Sequence, residues 1–540
     1  MLLHHAPIPR VIVDTERLRG QTAAVDGADC ACPLSISPRH RSDYLAPLNF
    51  DQLLHQTPAA QWPGPEEYTT FASAQAEAGI ALLNAAALNF WRQFQEPCSP
   101  ATALQRLGIN VCSYAFSAPH LYETRKAERG RRRNHSKQEC LKASLQTFPS
   151  LSGIQASMDS YQEALADLCW SGFLRDAPNA PIPFAREDTL IAWLHTTNAC
   201  NLRCNYCYLA KTNEMMDEQI GRQSIEAIFR SARANDFSKI KIKYAGGEAT
   251  LNFALVTELH DYARQLADEH FLSLSGVVLS NGVRLTPEMI ASMLARQLRL
   301  MISLDGLGAA HDAQRHFANG RGSFDAVARG IEMAKDSGLT PDICITVSGR
   351  SAAGLLDLVG WILERDLPFS LNFYRENELS VSFAELQLDE ERIIKGILAA
   401  FKVIEANLPR RSLLASLVDR ANLSAPHSRP CAAGHNYLVI DHFGRVAKCQ
   451  MEMNKPVTNI AVRDPLAVIR ADQIGVQNYS VEEKEGCRDC EWKHWCAGGC
   501  PQATFRATGR YDIQSPNCRI YKTLYPEVVR LEALRLLKFS

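Results

Sequence analysis

The sequence predicts an α/β protein built around a parallel sheet, either open or closed into a barrel. Three observations support this prediction. From Thr189 to about Phe383, short apolar strands alternate with amphipathic helices. A group of three cysteines follows the first of these strands, and seven more cysteines occupy the C-terminal region. A chain of 540 residues is long enough for about three domains.

The composition is that of a globular protein, with 46% hydrophobic and 22% charged residues. The net charge of −1 gives no general attraction to nucleic acid or to a membrane surface. The opening residues lack the apolar run of a secretory signal. No later stretch approaches the ~18 apolar residues that cross a bilayer. We therefore expect a cytoplasmic protein, in which 17 cysteines indicate metal or redox chemistry rather than disulfides.

The N-terminal part shows the signals of three short helices. Residues 1–60 are rich in Pro and His without periodicity, so they predict an irregular segment. In residues 61–183, Asn84 is placed to cap one helix, and Ser99 with Pro100 to begin a second. A third helix, SYQEALADLCWSGFL, ends near Gly172. Three helices followed by an apolar hairpin predict a small winged-helix-like domain.

A basic insertion, RKAERGRRRNHSK, lies at residues 125–137 within this domain. It contains seven Lys or Arg residues against one Glu. Two interpretations remain open: a solvated loop, or a patch that docks an acidic peptide or nucleic acid.

Six strands are predicted in residues 184–385, each separated from the next by helical sequence. They read LIAWLHT, IKIKYA, SGVVLS, LRLMISL, ICITVS and FSLNFY. Repeated strand–helix units imply that the strands are parallel. Residues 386–424 predict a helical linker, which leads to the cysteine-rich residues 425–540.

The first cysteine group is Cys200, Cys204 and Cys207, spaced C-x3-C-x2-C. Three thiolates can hold three irons of a 4Fe–4S cluster and leave the fourth iron open. Structural zinc would need a fourth ligand, for which the nearest upstream candidate is His195. The cysteines follow a strand of a parallel sheet, at the end where such sheets hold their sites. The spacing and the position favour a reactive cluster.

The segment CNLRCNYCY resembles the signature of the radical S-adenosylmethionine (radical SAM) superfamily, with Tyr206 before the last cysteine. The resemblance implies a partial (β/α)6 TIM-like barrel at residues 184–385. It implies that the open iron binds S-adenosyl-L-methionine, which is cleaved to a 5′-deoxyadenosyl radical that abstracts a substrate hydrogen. It also implies an electron donor such as flavodoxin or ferredoxin.

Further residues match the superfamily by type and position at successive strand ends. The resemblance implies that Glu248 binds the methionyl amino group, while Gly246 and Gly247 let the backbone approach the cofactor. It implies that the remaining contacts to the ribose and the methionyl carboxylate come from Ser280, Asn281, Ser303, Asp305 and Arg315.

The C-terminal cysteines resemble the SPASM domain that follows many radical SAM cores. The resemblance implies one auxiliary 4Fe–4S cluster on Cys487, Cys490, Cys496 and Cys518, and a second on Cys431, Cys449 and Cys500. That makes three 4Fe–4S clusters in the chain and leaves one position for a non-cysteine ligand. His435 is the nearest suitable side chain. The alternative interpretation of these cysteines is a double zinc module. Separately, Gly444 is predicted to form a tight hairpin turn.

Two features separate the enzymes that share this domain. The sulfatase-activating pattern has an extra cysteine after the first SPASM cysteine and an Asp after the next. This chain lacks that cysteine and has Gln450 after Cys449. The N-terminal helices resemble the leader-recognition element of peptide maturases, in which a leader adds a strand to a sheet.

The sequence therefore predicts a radical SAM/SPASM maturase that crosslinks or otherwise modifies a ribosomally made precursor peptide carrying a leader. Alternatives are a protein-directed maturase of the sulfatase-activating or quinone-cofactor type. An alternative from another class is a non-catalytic metal-binding module for nucleic acid.

Overall fold

The fold was taken from a computed structural model. It describes residues 9–13, 54–56, 59–64, 68–72, 80–107, 151–175, 184 and 188–539. The chain divides into two compact units, with a boundary between Pro183 and Phe184, and the second unit ends at Glu532. The basic run at residues 125–137 lies outside the described residues.

The first unit combines two small antiparallel sheets with three helices. The four-stranded sheet has the order β1-β5-β4-β3, and β2 pairs with β6. The strands are β1 (Val11–Val13), β2 (His55–Gln56), β3 (Ala60–Pro63), β4 (Thr69–Ala72), β5 (Ile80–Leu83) and β6 (Leu174–Arg175). The helices are α1 (Ala85–Arg92), α2 (Pro100–Arg106) and α3 (Leu151–Trp170).

The predicted helix starts in this unit are confirmed. The side chain of Asn84 accepts a hydrogen bond from the backbone of Ala87 at 3.0 Å, which caps α1. Ser99 caps α2 in the same way, accepting from the backbone of Thr102 at 3.2 Å, and Pro100 is the first helical residue. Aromatic side chains from α1 and the strands then fill the core, where Phe71 packs edge-to-face on Trp91.

Two predictions for this unit are wrong. Residues 1–60 are not uniformly irregular, because β1 pairs with β5 and β2 pairs with β6. The four-stranded sheet precedes the helices, and the short strand after α3 pairs with distant β2 instead of forming a terminal hairpin. These strands have two to four residues, too few for a periodic pattern, and their partners lie far away in the chain.

The second unit contains the predicted parallel sheet, and this prediction is confirmed. Six strands lie side by side in chain order, each parallel to its neighbours. They are β7 (Thr189–Thr197), β8 (Lys239–Gly246), β9 (Ser273–Ser280), β10 (Arg299–Ser303), β11 (Asp342–Val347) and β12 (Phe369–Phe373). The helices that follow them are α4 (Glu218–Ala234), α5 (Phe253–His270), α6 (Pro287–Ala295), α7 (Ala309–Asp312), α8 (Phe324–Asp336), α9 (Leu355–Glu364) and α10 (Glu390–Ala406).

The hydrophobic runs explain this arrangement. Every residue of β7 is buried, as expected for a strand that is covered on both faces. The helices instead bury one face; in α4, for example, Ile225, Ile228 and Phe229 are buried while the polar face stays accessible. The carboxyl ends of the parallel strands meet at one edge, where the predicted site residues follow.

The C-terminal region extends the same sheet instead of forming a separate layer. Strand β13 (Tyr437–Ile440) runs parallel to β7, and β14 (Arg445–Ala447) and β15 (Thr458–Asn459) follow antiparallel. Pairing with β13 covers the edge that β7 would otherwise expose. This is why residues 184–532 form one compact unit although the sequence suggested a division near residue 425.

The remaining helices are α11 (Pro465–Ala471), α12 (Lys493–Cys496), α13 (Pro501–Thr508) and α14 (Cys518–Phe539). The predicted turn at Gly444 is confirmed, with φ of 78° between β13 and β14. In the described part of the chain, every helix is too short or too polar to cross a bilayer.

Candidate functional site

The first three cysteines lie in the loop that directly follows β7, as predicted. All three are half-buried, and the backbone N–H of Leu202 donates to the Cys200 sulfur at 3.4 Å. Burial raises the pKa of Cys204 to about 11, and burial also raises the pKa of Cys200. Thiols of this kind need a nearby positive charge to become thiolates, which a bound metal centre would supply.

The spacing of these thiols distinguishes an iron–sulfur cluster from zinc. Among the described residues, no three His, Cys, Asp or Glu side chains converge as ligands of one metal ion. Tetrahedral zinc requires such convergence, whereas a four-iron cluster holds each thiolate at a different corner. Three thiols in one loop are a donor set that a 4Fe–4S cluster with one open iron can use.

Glu248 anchors the end of the second strand. Its side chain is buried, and one carboxylate oxygen accepts hydrogen bonds from Ser280 at 2.9 Å and from the Thr250 hydroxyl at 2.6 Å. The other oxygen accepts from the backbone of Asn281 at 2.6 Å. The structure thus brings together three predicted residues and adds Thr250. The sequence offered one signal for Thr250, namely a hydroxyl residue two positions after Glu248.

The two glycines before Glu248 serve a purpose that the sequence did not reveal. A Cβ atom on Gly247 would clash with the carbonyl oxygen of Ala199, and one on Gly246 would lie 2.6 Å from that of Thr197. The glycines therefore let the end of β8 pack against the backbone that leads into Cys200. In this structure the close approach is between two chain segments.

Tyr206, Asp305 and Arg315 form a second network under the cysteine loop. The Tyr206 hydroxyl donates to Asp305 at 2.6 Å, and Arg315 donates to that hydroxyl and lies 3.6 Å from the same carboxylate oxygen. The other oxygen of Asp305 accepts from the backbone of Thr346 at 2.7 Å. Ser303 is the last residue of β10 and is in register with a residue of β11. Each buried charge here has a partner, as buried charges require.

The C-terminal cysteines separate into two groups, each lining its own cavity. One cavity is lined by Cys487, Cys490, Cys496 and Cys518, and the other by Cys431, Cys449 and Cys500. These are the two sets that the SPASM resemblance implies. Burial raises the pKa of Cys487 to about 12.

Cationic side chains lie near the second of these cavities, and no sequence pattern predicted them. The Arg375 side chain donates to the Cys500 sulfur at 3.2 Å and to both oxygens of Asp419 at 2.7 and 2.8 Å. Burial acts to raise the pKa of Cys500, but Arg375 and Arg420 lower it below its usual value. Lys484 is also buried, and its amine donates to the carbonyl of Ala497 at 3.0 Å.

Lys484 lies between the two cysteine groups. Burial lowers its pKa, and Cys487 and Cys431, one from each group, act in the opposite direction.

The proposed fourth ligand His435 is directed elsewhere. Its Nε2 atom lies 3.2 Å from the carbonyl oxygen of Asn478. Cys344 is a cysteine outside the two C-terminal groups, and its sulfur accepts a hydrogen bond from Asn372 at 3.4 Å. The described residues that line the cavity include neither of them, but they do include Gln450 and Gln502.

A larger cavity of about 310 Å³ adjoins the cysteine loop. Its wall is formed by residues 208–210, 377–379, 441–443 and 450–455, together with a few single side chains. Gln450 and Gln502 line this cavity as well as the cavity of Cys431, Cys449 and Cys500. The two glutamines therefore separate the two spaces. A concave site with mixed polar and apolar walls suits an organic ligand.

Two histidines lie side by side in the wall of the large cavity. The rings of His195 and His442 are 5.7 Å apart, and His442 Nε2 lies 3.4 Å from a carboxylate oxygen of Glu214. Burial, reinforced by His442, lowers the pKa of His195 to about 4, so this imidazole is neutral at pH 7.

A model of the radical SAM superfamily matches residues 194–359. The serine-type anaerobic sulfatase-maturating enzyme of Klebsiella aerogenes is 24% identical over 351 residues, 60% of this chain and 81% of that protein. Mycofactocin maturase MftC of Mycolicibacterium smegmatis is 33% identical over 167 residues, 30% of this chain and 38% of that protein.

Four curated relatives are matched over 57%, 80%, 47% and 81% of their own lengths. A solved structure described as native anSMEcpe with bound AdoMet and Cp18Cys peptide superimposes with a TM-score of 0.52. It is 18% identical and covers 64% of this chain and 99% of its own, which establishes a shared fold.

Proposed function

Because residues 194–359 form a radical SAM domain and make this chain an enzyme of that superfamily, we propose that it modifies a ribosomally made precursor peptide. The modification is a crosslink or a related change that begins with hydrogen abstraction from an unactivated carbon. Bound together, a 4Fe–4S cluster and S-adenosyl-L-methionine supply the 5′-deoxyadenosyl radical that performs this step.

The chain's own residues would hold and orient these groups. Cys200, Cys204 and Cys207 would ligate the cluster. Glu248 is held rigidly by Ser280 and the backbone of Asn281, and its carboxylate suits the methionyl ammonium. Arg315, steadied by Asp305 and the hydroxyl of Tyr206, suits the methionyl carboxylate. The seven C-terminal cysteines would hold two further 4Fe–4S clusters, so that the chain carries three.

The observation that carries the proposal is the position of the large cavity. It lies between the segment directly after Cys207 and the two glutamines that border the cavity of Cys431, Cys449 and Cys500. A substrate group in it would lie close to both cysteine groups. Its volume of about 310 Å³ suits a short peptide segment, and its wall offers both charged and apolar contacts.

The comparisons support a peptide substrate. The solved structure that shares the fold holds AdoMet and a peptide according to its description, and one curated relative is a sulfatase-maturating enzyme. Both act on, or bind, a polypeptide. We infer the same class of substrate for this chain.

The first unit would bind the leader of the precursor, through the part of it within residues 61–183. Strand β3 is at an edge of the four-stranded sheet and, among the described residues, pairs with β4 alone. An extended leader can add a strand to such an edge. Residues 61 and 63 of that strand are exposed.

A second candidate is a protein-directed maturase of the sulfatase-activating kind. The match to the Klebsiella aerogenes enzyme over 81% of its length favours it. The residue after Cys449 opposes it, because the sulfatase-activating pattern has an acid there. Gln450 cannot act as a base, and its carbonyl oxygen accepts a hydrogen bond from Tyr437 at 3.1 Å.

The test is co-expression of the enzyme with short reading frames that neighbour its gene, followed by mass spectrometry of each peptide. The expected result is a mass change in one peptide that carries a leader. The chain with Cys200, Cys204 and Cys207 all replaced by Ala serves as the control and should leave the peptide unchanged. A mass change that survives this replacement, or a sulfatase modified in place of every peptide, would overturn the proposal.

Metal analysis tests the cofactor set separately. Three 4Fe–4S clusters correspond to about twelve irons per chain. Two or three zinc ions per chain, without iron, would contradict the set.

A further inference from the structure

The cavity of Cys431, Cys449 and Cys500 contains a buried carbonyl that lacks a hydrogen-bond partner. This atom is Oε1 of Gln502, and in the described part of the chain nothing donates to it. The Gln502 side chain is only 7% exposed, so water does not readily replace the missing donor. Buried carbonyls almost always have a partner, and one without a partner destabilises the fold unless something else binds it.

The same cavity needs one more ligand, if the proposed three-cluster enzyme is correct, on which this inference rests. A 4Fe–4S cluster has four irons, and this cavity offers three cysteines. The fourth iron therefore needs a donor atom with a free lone pair from the cavity wall or from a bound molecule.

The other polar side chains in the wall are unsuitable. Lys243 and Arg420 are cationic and have no lone pair to offer while charged. Tyr437 donates its hydroxyl proton to Gln450, whose carbonyl oxygen is thereby engaged at 3.1 Å. Gln502 alone combines a free oxygen with a position in the wall.

The local fold also holds Gln502 in place. It lies two residues after Cys500, in the first turn of α13, and Pro501 occupies the first helical position between them. Proline fixes the backbone angle there, so Gln502 and the Cys500 thiol are presented by one rigid turn.

We propose that the side-chain oxygen of Gln502 is the fourth ligand of the iron–sulfur cluster held by Cys431, Cys449 and Cys500, and that a donor entering from the large cavity displaces it. Gln502 lines both cavities, so an incoming group reaches it directly. An amide oxygen binds iron–sulfur iron less tightly than a thiolate does, because thiolate is the softer ligand. The displacing group is therefore a thiolate, such as a cysteine of the peptide.

The experiment uses the full-length chain with Cys200, Cys204 and Cys207 replaced by Ala, so that only auxiliary clusters contribute to the spectrum. Into this background Q502A, Q502E and the matched control Q450A are introduced. Gln450 lines the same two cavities, but its oxygen is already hydrogen-bonded. The readouts are the iron content and the electron paramagnetic resonance spectrum of the reduced protein, recorded during titration with 2-mercaptoethanol as the thiol probe.

The expected result has three parts. Q502A changes the spectrum of one cluster and lowers the thiol concentration for half-conversion by about tenfold, because a competing weak ligand has been removed. Q502E keeps an oxygen donor, now charged, and raises that concentration. Q450A matches the background in both respects, and all variants keep about eight irons per chain.

Two results would overturn the ligand assignment alone. One is a Q502A spectrum and thiol titration identical to the background with about eight irons present. The other is a spectral change in Q450A equal to that in Q502A. If Q502A loses iron by misfolding, Q502E decides, because it preserves the shape of the side chain. A background protein with about four irons defeats the three-cluster proposal and this assignment together.

Discussion

The loop after β7 and the C-terminal cavity at Cys431, Cys449 and Cys500 are built in opposite ways. In the loop, three cysteines within eight residues are supported by carboxylates, Glu248 and Asp305, with one buried arginine. In the C-terminal cavity, the cysteines come from distant parts of the chain, and the neighbouring charges are mostly positive.

The difference in charge predicts a difference in function. Carboxylates suit the cationic groups of S-adenosyl-L-methionine. The guanidinium of Arg375 donates to the Cys500 sulfur, so it would stabilise added negative charge on a cluster bound there. We therefore expect the C-terminal cluster to have the higher reduction potential of the two.

The largest effect is expected from removing the loop cysteines. Replacing Cys200, Cys204 and Cys207 together with Ala should abolish 5′-deoxyadenosine formation, because no open iron remains to bind the cofactor. About two-thirds of the iron should remain, since the other ligands are separate. The measurement combines product chromatography with iron analysis. Cofactor cleavage at the unchanged rate would contradict the division into two regions.

A smaller but severe effect is expected from Gly247→Ala. Its new Cβ would clash with the carbonyl of Ala199, so the segment before Cys200 must shift. We expect a stability loss of about 1–3 kcal/mol in urea unfolding and slower cofactor cleavage. Gly354→Ala is the control, because there the nearest atom to a new Cβ is 3.9 Å away. Equal stability losses in the two variants would argue against the close approach.

The contrast in charge can be tested at Arg375. Arg375→Met should shift the reduction potential of one auxiliary cluster to more negative values, because a nearby positive charge and a hydrogen bond to sulfur are lost. Arg375→Lys keeps the charge and should shift it less. Arg411→Met, which removes an arginine paired with Asp366, should have no effect. The potentials are measured by redox titration with paramagnetic resonance detection, and equal values in all variants would refute the charge argument.

The smallest effect concerns stability in acid. Burial lowers the pKa of His311 from 6.5 to about 3, and the backbone of Asp305 donates to its Nδ1 atom at 3.3 Å. Between pH 6.5 and about 3 the unfolded chain binds this proton and the folded chain does not. Stability is therefore complete above pH 6.5 and falls as the pH is lowered, by up to about 1.4 kcal/mol per pH unit.

His311→Gln should reduce that dependence on pH, although it also lowers stability at pH 7. The measurement is the unfolding free energy at pH 7 and at pH 5.5 for the variant and the original chain. If His311→Gln leaves the difference in unfolding free energy between pH 7 and pH 5.5 unchanged, the loss of stability in acid comes from other groups.

Short-range features were predictable because neighbouring residues create them. The six parallel strands, the caps at Asn84 and Ser99 and the turn at Gly444 all depend on residues a few positions apart. The cysteine loop after β7 belongs with them. The groupings of Glu248 with Ser280, and of Tyr206 with Asp305, were foreseeable because parallel strands bring their ends together.

By itself the sequence determined the parallel strands of the core, the place of the cysteine loop after the first of them and the supply of cysteines at the C-terminus. Only the tertiary structure decided that β13 pairs beside β7, that Arg375 donates to Cys500 and that Gln502 borders two cavities. Such contacts join residues far apart in the chain and depend on how whole elements pack, and no local pattern of residues encodes that packing.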